Sequence, residues 1–159
     1  MKILFVCQQY IHAARWINQL KEAGHEIYVF DCLDKPIHTN LLWTNYTTNW
    51  SERKLPYIKG EYFLEKKEPK IYHFFEPLLK VTASEMLLKL IKEIQPDLVH
   101  SLEMQSQSYH VLKAKKKLNF KWAYFSWGSD LYLYQNDKNH QSRIQSVISN
   151  IDYFFADNK

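Results

Sequence analysis

The stretch that decides the fold is Lys121-Trp-Ala-Tyr-Phe-Ser-Trp-Gly-Ser-Asp130, in which a short apolar run ends abruptly at a polar turn. The run from Trp122 to Phe125 is short and is followed closely by Gly128, which predicts a buried strand and not a helix. In an open parallel sheet, ligands bind just beyond the carboxyl ends of the strands. The turn that holds Trp127 and Asp130 therefore lies where a binding site is expected.

The amino-terminal segment, residues 2–30, predicts a βαβ unit. Residues 2–7 are nearly all apolar, as expected for a parallel strand that is covered on both faces. Residues 12–23 carry apolar side chains at the spacing of one helical face, and Gly24 ends this predicted helix. Residues 26–30 are the second predicted strand. A strand, a helix and a strand in this order form a parallel pair through a right-handed crossover.

The carboxyl-terminal part of the chain repeats this alternation. Thr82 and Glu85 fit a capping box at the start of a helix, and Pro96 ends that helix. Further strands are predicted at 97–101, 121–125 and 153–156, with helices at 104–117 and 139–150 between them. The alternation predicts the α/β class, as a Rossmann-like three-layer α/β/α domain with a parallel sheet over residues 1–159.

The segment 33–81 has a different pattern, because prolines punctuate it and aromatic side chains are scattered through it. Leu55–Ile58 predicts a short strand. A connection of this length seldom lacks structure inside a compact domain, so we expect the segment to pack partly on the sheet. Its aromatic residues form either an irregular packed excursion or a lip that faces an acceptor or a membrane.

The net charge and its distribution along the chain limit the classes of binding partner that we expect. The formal net charge is +4, and the strongest positive run is Lys113–Lys117. Such a run is typical of the solvated end of a helix; the alternative is docking to an anionic membrane surface. No basic stripe interleaves with the aromatic residues, so we expect no nucleic-acid partner.

The two cysteines, Cys7 and Cys32, give neither a disulfide framework nor metal-ligand spacing. We therefore expect reduced thiols and no metal site. No signal-peptide pattern opens the chain, and no apolar run of about 18 residues occurs. These features predict a cytoplasmic protein without a membrane span, which sits at the inner face of the membrane if the lysine run docks there.

The loop after the first strand excludes a common cofactor. A dinucleotide-binding fold of the usual kind places Gly-x-Gly-x-x-Gly at this point, but here the loop is Gln8-Gln9-Tyr10-Ile11-His12. A P-loop is absent for the same reason. The sequence therefore predicts α/β architecture without a built-in phosphate cradle and without a bound cofactor.

Polar side chains follow each predicted strand and should meet at one edge of the sheet, because the strands are parallel. Hydrogen-bonding groups around one indole platform suit sugars and other polyhydroxylated molecules. The candidate substrate-binding residues are Gln8, Gln9, His12, His100, Glu103, Trp127, Gly128, Ser129 and Asp130.

Three of these residues have a structural alternative. His100 either contacts a ligand or hydrogen-bonds to neighbouring backbone. Asp130 either contacts a ligand or caps the following turn through an Asx bond. Trp127 is either a stacking platform or part of the core.

The order and spacing of six short segments carry a resemblance to a known family. The segments are Met1–Val6, His12 with Arg15 and Trp16, Ala23–Glu26, Gln95–His100, Ser126–Asp130 and Ile151–Asp157. Together they resemble the amino-terminal half of family 4 retaining glycosyltransferases. The resemblance covers most of the chain except residues 33–81, and it implies one half of a GT-B architecture, in which two Rossmann-like domains face each other across a cleft.

The resemblance implies transfer of a sugar from a nucleotide-sugar donor to a glycan or lipid-linked acceptor, with retention at the anomeric carbon, in surface polysaccharide synthesis. In such enzymes the amino-terminal domain mainly holds the acceptor, and the carboxyl-terminal domain binds the nucleotide sugar. We therefore expect the chain to be truncated after Lys159 and to be inactive in transfer without its carboxyl-terminal partner domain.

Two positions depart from the family pattern. Gln8-Gln9 stands where many members have Gly-Gly, and Trp127 stands where many have a histidine. Because an indole cannot relay a proton, Asp130 and His100 become the candidate catalytic residues.

Two rival interpretations remain. One is a non-enzymatic Rossmann-like binding or partner subunit. The other is a flavodoxin-like or response-regulator-like domain, which requires an acidic pair or a hydroxyl-rich loop after the first strand; Gln8-Gln9 supplies neither.

Overall fold

One parallel sheet organises the computed structural model, which describes residues 1–156. Its strands are β1 (Lys2–Val6), β2 (Glu26–Phe30), β3 (Asn45–Thr47), β4 (Leu98–Leu102), β5 (Trp122–Ser126) and β6 (Tyr153–Ala156). They lie in the order β3-β2-β1-β4-β5-β6. This is the doubly wound order, in which the winding direction reverses between β1 and β4. The predicted Rossmann-like class is confirmed.

Helices cover both faces of this sheet. They are α1 (Ile11–Asn18), α2 (Glu61–Lys67), α3 (Pro69–Leu79), α4 (Ala83–Ile94), α5 (Tyr109–Lys115), α6 (Ser129–Tyr132) and α7 (Lys138–Ile148). A 3-10 turn at Thr39–Leu41 and a π-helix at Met104–Ser108 complete the described elements. None of the helices in residues 1–156 is both long enough and apolar enough to cross a bilayer.

Alternate side chains of the strands divide between two cores. Ile3 and Phe5 of β1 pack under α1, whereas Leu4 and Val6 face the helices α4, α5 and α7. This alternation follows from the two-residue period of a strand. Because each face of β1 is buried, its sequence is a continuous apolar run, as predicted.

The start of α4 has the predicted capping box. Thr82 Oγ1 accepts a hydrogen bond from the Glu85 backbone N–H at 3.3 Å, and the Glu85 carboxylate accepts one from the Thr82 N–H at 2.9 Å. Gln95, in the left-handed conformation, ends the helix directly before Pro96. The helix therefore begins and ends where its sequence predicts.

The first helix is shorter than predicted. It ends at Asn18, and residues 19–23 continue as turns to Gly24, whose φ is 71°. The Leu20 and Ala23 N–H groups bond to carbonyls three residues back, so the last turns tighten away from α-helical geometry.

The excursion at 33–81 contains more regular structure than predicted. The prediction of a strand at Leu55–Ile58 is wrong. These residues are all exposed, and the Leu55 backbone N–H donates to the Leu79 carbonyl at the end of α3 and not to a neighbouring strand. A strand forms instead at Asn45–Thr47, where β3 pairs with the outer side of β2. Two helices, α2 and α3, follow. Hydrophobic periodicity does not show which faces of α2 and α3 are buried, because most of their apolar side chains are exposed to solvent.

The last predicted strand is present as β6, but it is not buried. It pairs in register with β5, and Tyr153, Phe154 and Phe155 remain between 42% and 51% exposed. The reason is its position at the outer edge of the sheet, where no further strand pairs with it in the described part of the chain. Asp157–Lys159, which the sequence predicts to follow this strand, lie outside the described residues.

Candidate functional site

A cavity of about 380 Å³ opens at the carboxyl edge of the sheet, between the ends of β1, β4 and β5. Val6 of β1 is in register with Ser101 of β4, so Gln8 and Glu103 lie two residues beyond paired positions. This is the point where the winding direction reverses, and ligands of doubly wound folds bind there. The cavity is lined by Gln8, Tyr10, His12, Ala13, Leu102, Glu103, Trp127 and Ser129.

The loop after β1 supplies one wall of this cavity. Gln8 donates a hydrogen bond from Nε2 to Ser106 Oγ at 3.2 Å, which ties the loop to the π-helix. The helix α1 begins three residues later and carries His12 in its first turn. The ring centroids of His12 and Trp127 are 6.0 Å apart, so an imidazole and an indole lie next to each other in the cavity lining.

Glu103 lines the cavity and has an unusual backbone conformation. Its φ is 90° and its ψ is 147°, a region that residues other than glycine rarely adopt. Such strain persists only where the surroundings impose it, and it concentrates at functional sites. The Glu103 carbonyl is held by the Ser108 hydroxyl at 2.7 Å and the Ser108 N–H at 3.3 Å. The π-helix Met104–Ser108 thus fixes Glu103, and π-helical turns are themselves frequent at functional sites.

The Glu103 carboxylate is in an unfavourable electrostatic environment for an ionised group. Burial raises its pKa above the ordinary range, and the negative charge of Asp130 raises it further. Within residues 1–156, no side chain or backbone group donates a hydrogen bond to it. A half-buried carboxyl group that faces a cavity with free acceptor capacity is suited to receive hydroxyl donors from a ligand.

Asp130 has a different role in the structure. Its side chain is buried and accepts hydrogen bonds from the Tyr124 hydroxyl at 2.6 Å, the Ser126 hydroxyl at 2.8 Å and the Met104 N–H at 3.0 Å. These bonds join the turn after β5 to the start of the π-helix. Asp130 does not line the cavity, and its partners precede it in the chain, so the Asx bond considered from sequence is not formed.

His100 also lies behind the cavity. The residue is 95% buried, and its ring packs against Phe5 at 5.1 Å and Phe155 at 5.5 Å between centroids, with the Trp16 edge at 6.2 Å. Burial lowers the pKa of His100 to about 4, which keeps the imidazole neutral. Among residues 1–156, its Nε2 atom has no hydrogen-bond partner. The structure therefore places His100 in the core under α1.

Gln9 and Gly128 shape the loops around the cavity. Gln9 Oε1 accepts a hydrogen bond from the His38 N–H at 2.7 Å, and its own N–H donates to Asp31 Oδ2 at 3.4 Å. Gly128 has a φ of 85°, which lets the chain turn from β5 into α6. Its N–H donates to Ser126 Oγ at 3.0 Å.

Of the nine predicted residues, five line the cavity: Gln8, His12, Glu103, Trp127 and Ser129. Three lining residues were not among the candidates, namely Tyr10, Ala13 and Leu102. The sequence does place Tyr10 at this edge of the sheet, because it follows the first strand in the same loop as Gln8. Ala13 and Leu102 are buried apolar residues with no signal that separates them from the core.

The sheet order defines a class of protein: a Rossmann-like α/β domain, here with a cavity at the switch point of the sheet. A family model described as "Glycosyl transferase 4-like" matches residues 2–158. The chain belongs to this family, and it is a glycosyltransferase-family domain. A search of curated proteins finds no match.

Solved structures of low sequence identity share the fold. A UDP-N-acetylglucosamine 2-epimerase is 15% identical with a TM-score of 0.60, covering 98% of this chain and 41% of its own. The UDP-GlcNAc 2-epimerase of Neisseria meningitidis, solved with UDP-GlcNAc, is 13% identical with a TM-score of 0.58, covering 98% of this chain and 40% of its own. The chain thus spans about two fifths of the length of these two proteins. At such identities the likeness shows the fold alone.

Proposed function

We propose that this chain is the acceptor-binding domain of a retaining glycosyltransferase, which moves a sugar from a nucleotide-sugar donor to a glycan or lipid-linked acceptor in surface polysaccharide synthesis. Family membership supports transfer of a sugar as the reaction. The observation that carries acceptor binding is the cavity at the β1–β4 switch point, where Glu103 faces an indole and an imidazole.

Three of the lining side chains suit contacts with a sugar ring. The Trp127 indole offers an apolar face on which the C–H groups of a pyranose can stack. The Glu103 carboxylate can accept two hydroxyl hydrogen bonds, and the Ser129 hydroxyl can donate or accept one. No described residue donates a hydrogen bond to the Glu103 carboxylate. A bound hydroxyl group therefore does not have to displace an internal hydrogen bond.

We further propose that a separate carboxyl-terminal domain binds the nucleotide sugar. We therefore expect the 159-residue chain to bind an acceptor analogue but not to catalyse transfer. Sugar transfer by the purified chain with nucleotide sugar and acceptor would contradict this division of labour.

Binding is tested by saturation-transfer NMR of the 159-residue chain with methyl glycosides of hexoses and N-acetylhexosamines. We expect transfer to at least one glycoside. Glu103→Gln should weaken that binding by about tenfold or more, since a hydrogen bond to a charged group contributes about 1.5–3 kcal/mol. Glu22→Gln, which neutralises an exposed carboxylate in the turns that follow α1 and outside the cavity lining, is the matched control.

The outcomes separate the alternatives. Loss of binding in Glu103→Gln with retention in Glu22→Gln supports an acceptor site at the cavity. Equal binding in both variants removes Glu103 from the site. Absence of saturation transfer to any of the glycosides overturns monosaccharide recognition by this cavity.

A further inference from the structure

A buried tryptophan of β5 begins a series of hydrogen bonds that ends at the backbone of Glu103. The Trp122 indole N–H donates to Ser101 Oγ at 2.9 Å. Ser101 Oγ and Ser108 Oγ are 2.8 Å apart, and the Ser108 hydroxyl donates to the Glu103 carbonyl at 2.7 Å. We call the indole N–H and these two hydroxyl groups the Trp122 network. The network joins β5 and β4 to the last residue of the π-helix.

The direction of each hydrogen bond in the Trp122 network follows from the donors that are available. A carbonyl can only accept, so the Ser108 hydroxyl uses its proton at Glu103. The Ser108 oxygen must then accept from the Ser101 hydroxyl, and the Ser101 oxygen accepts from the indole. All three bonds therefore point toward Glu103. Bonds in such a series polarise one another, which strengthens the last bond at the Glu103 carbonyl.

Water cannot take the place of any group in the Trp122 network. Trp122, Ser101 and Ser108 are all fully buried. When one group of a buried network is removed, its partner stays unsatisfied, because no solvent is present to replace the lost bond. The loss of a distant group should therefore be felt at the Glu103 carbonyl.

The backbone of Glu103 decides which face of the sheet its side chain can reach. Side chains of a strand alternate between the two faces, so a regular extension of β4 would place Glu103 on the same face as Ser101. That face belongs to the core that contains Trp122 and covers α4, α5 and α7. The cavity is lined by Ala13 and Leu102, which belong to the opposite core under α1. The φ of 90° at Glu103 interrupts the alternation directly after Leu102, and Glu103 joins the cavity lining.

Two opposing influences act on this backbone. Strain favours relaxation of Glu103 to a negative φ, whereas the hydroxyl and the N–H of Ser108 hold its carbonyl in place. The N–H bond is 3.3 Å long and the hydroxyl bond is 2.7 Å long, so the hydroxyl gives the stronger restraint. The groups that orient this hydroxyl therefore influence the conformation of Glu103.

We propose that Trp122 and Ser101 are positioning residues for Glu103. Through the Ser108 hydroxyl, they hold the backbone in the conformation that places the Glu103 carboxyl group in the cavity. Both residues lie outside the cavity lining, so they act without touching a ligand. The effect on the backbone does not require any sugar. Only its consequence for glycoside affinity rests on the proposed function.

The test removes one hydrogen-bonding group at a time from the 159-residue chain. Ser101→Ala interrupts the Trp122 network in the middle, and Trp122→Phe removes the indole N–H at its start. The serine variant deletes a single oxygen atom and keeps the core volume nearly unchanged. Ser101→Ala alone decides the question if Trp122→Phe does not fold.

Two matched controls remove equivalent groups elsewhere in the domain. Thr44→Val removes a buried hydroxyl that donates to the Leu41 carbonyl at 2.7 Å. Trp50→Phe removes a buried indole N–H that donates to the Asp31 carbonyl at 2.9 Å. Neither control residue lines the cavity. Both variants should lose stability as the test variants do, but without an effect on Glu103.

The conformation of Glu103 is measured from its ¹³Cα and ¹³Cβ resonances in the ¹³C-labelled chain without sugar, because these resonances depend on φ and ψ. We expect Ser101→Ala and Trp122→Phe to move them, and Thr44→Val and Trp50→Phe to leave them at the wild-type positions. Affinity for the methyl glycoside should fall by about two- to tenfold in the two test variants, which is the range for one neutral hydrogen bond. The two controls should keep wild-type affinity.

Three results would count against the proposal. Unmoved Glu103 resonances in Ser101→Ala would overturn it, because the middle of the network would then impose no restraint. Equal movement in Thr44→Val would also overturn it, since the cause would be a general loss of stability. Moved resonances with unchanged affinity would overturn the role of the network in the binding site. If the wild-type chain binds no glycoside, the proposed acceptor site fails, while the Glu103 resonances still decide the positioning role.

Discussion

Two carboxyl groups follow neighbouring strands of the sheet, and the structure uses them in opposite ways. Asp130, after β5, is buried and accepts three hydrogen bonds from its own chain. Glu103, after β4, faces the cavity on a strained backbone and receives no hydrogen bond from residues 1–156. The first carboxylate stabilises the loops, and the second has acceptor capacity available for a ligand.

This contrast shows that position past a strand end does not decide the role of a carboxylate. What decides it is the set of donors that reach each group. The Tyr124 and Ser126 hydroxyls saturate Asp130 from β5 itself. Its negative charge in turn raises the pKa of Glu103. Asp130 therefore does not line the cavity. It affects the cavity by fixing the loops around it and by placing a negative charge near Glu103.

The largest expected effect is the loss of stability in Asp130→Ala. The substitution leaves the Tyr124 hydroxyl, the Ser126 hydroxyl and the Met104 N–H without their shared acceptor in a buried site. We expect the free energy of unfolding to fall by about 3–5 kcal/mol. Urea denaturation measures this change. Glu103→Gln serves as the comparison and should stay within about 1 kcal/mol of wild type; equal losses in the two variants would erase the distinction.

A smaller effect of opposite sign is expected in Glu103→Gly. Glycine adopts a φ near 90° without the penalty that a Cβ imposes, so removal of the side chain relieves backbone strain. We expect a gain of about 1 kcal/mol in the free energy of unfolding together with loss of glycoside binding. Asn49→Gly is the matched control: its φ of 55° lies in the left-handed region that asparagine tolerates, so little change should follow. A destabilised Glu103→Gly variant would show that the backbone at this position is not strained.

The smallest effect concerns pH. The folded-state pKa of Glu103 is raised, so the native state retains a proton that the unfolded chain has already lost just above the ordinary pKa of 4.5. The stability that this group contributes is therefore present below pH 4.5. It is lost as the pH rises from 4.5 through the raised pKa of the folded state. Subtracting the stability profile of Glu103→Gln from that of wild type isolates the contribution. A difference that is flat across the window, or that grows with pH, would contradict a raised pKa.

The sequence predicted those parts of the fold whose signals are local. The βαβ unit at residues 2–30 and the capping box of Thr82 and Glu85 depend on nearby residues, and both are found in the structure. The segment 45–79 depends on contacts that periodicity does not reveal: β3 pairs with β2, and Arg53 holds Glu61 at the start of α2. Its apolar residues also face solvent, so hydrophobic periodicity gives no guide to where the chain packs.

The sequence predicted where the candidate site lies, but not what each residue does in it. The rule for parallel sheets brings Gln8, Glu103 and Trp127 to one cavity. It does not reveal that His100 turns inward between aromatic rings, or that Asp130 is satisfied internally. Both facts depend on burial and on hydrogen-bond partners, which are set by tertiary packing.

Of the two carboxylates, we expect Glu103, and not Asp130, to contact the acceptor. The most direct measurement follows the side-chain carboxyl carbon resonances of both residues in the ¹³C-labelled chain during titration with a binding methyl glycoside. We expect the Glu103 resonance to move in proportion to saturation while the Asp130 resonance shifts little. Movement of the Asp130 resonance with a stationary Glu103 resonance would contradict it.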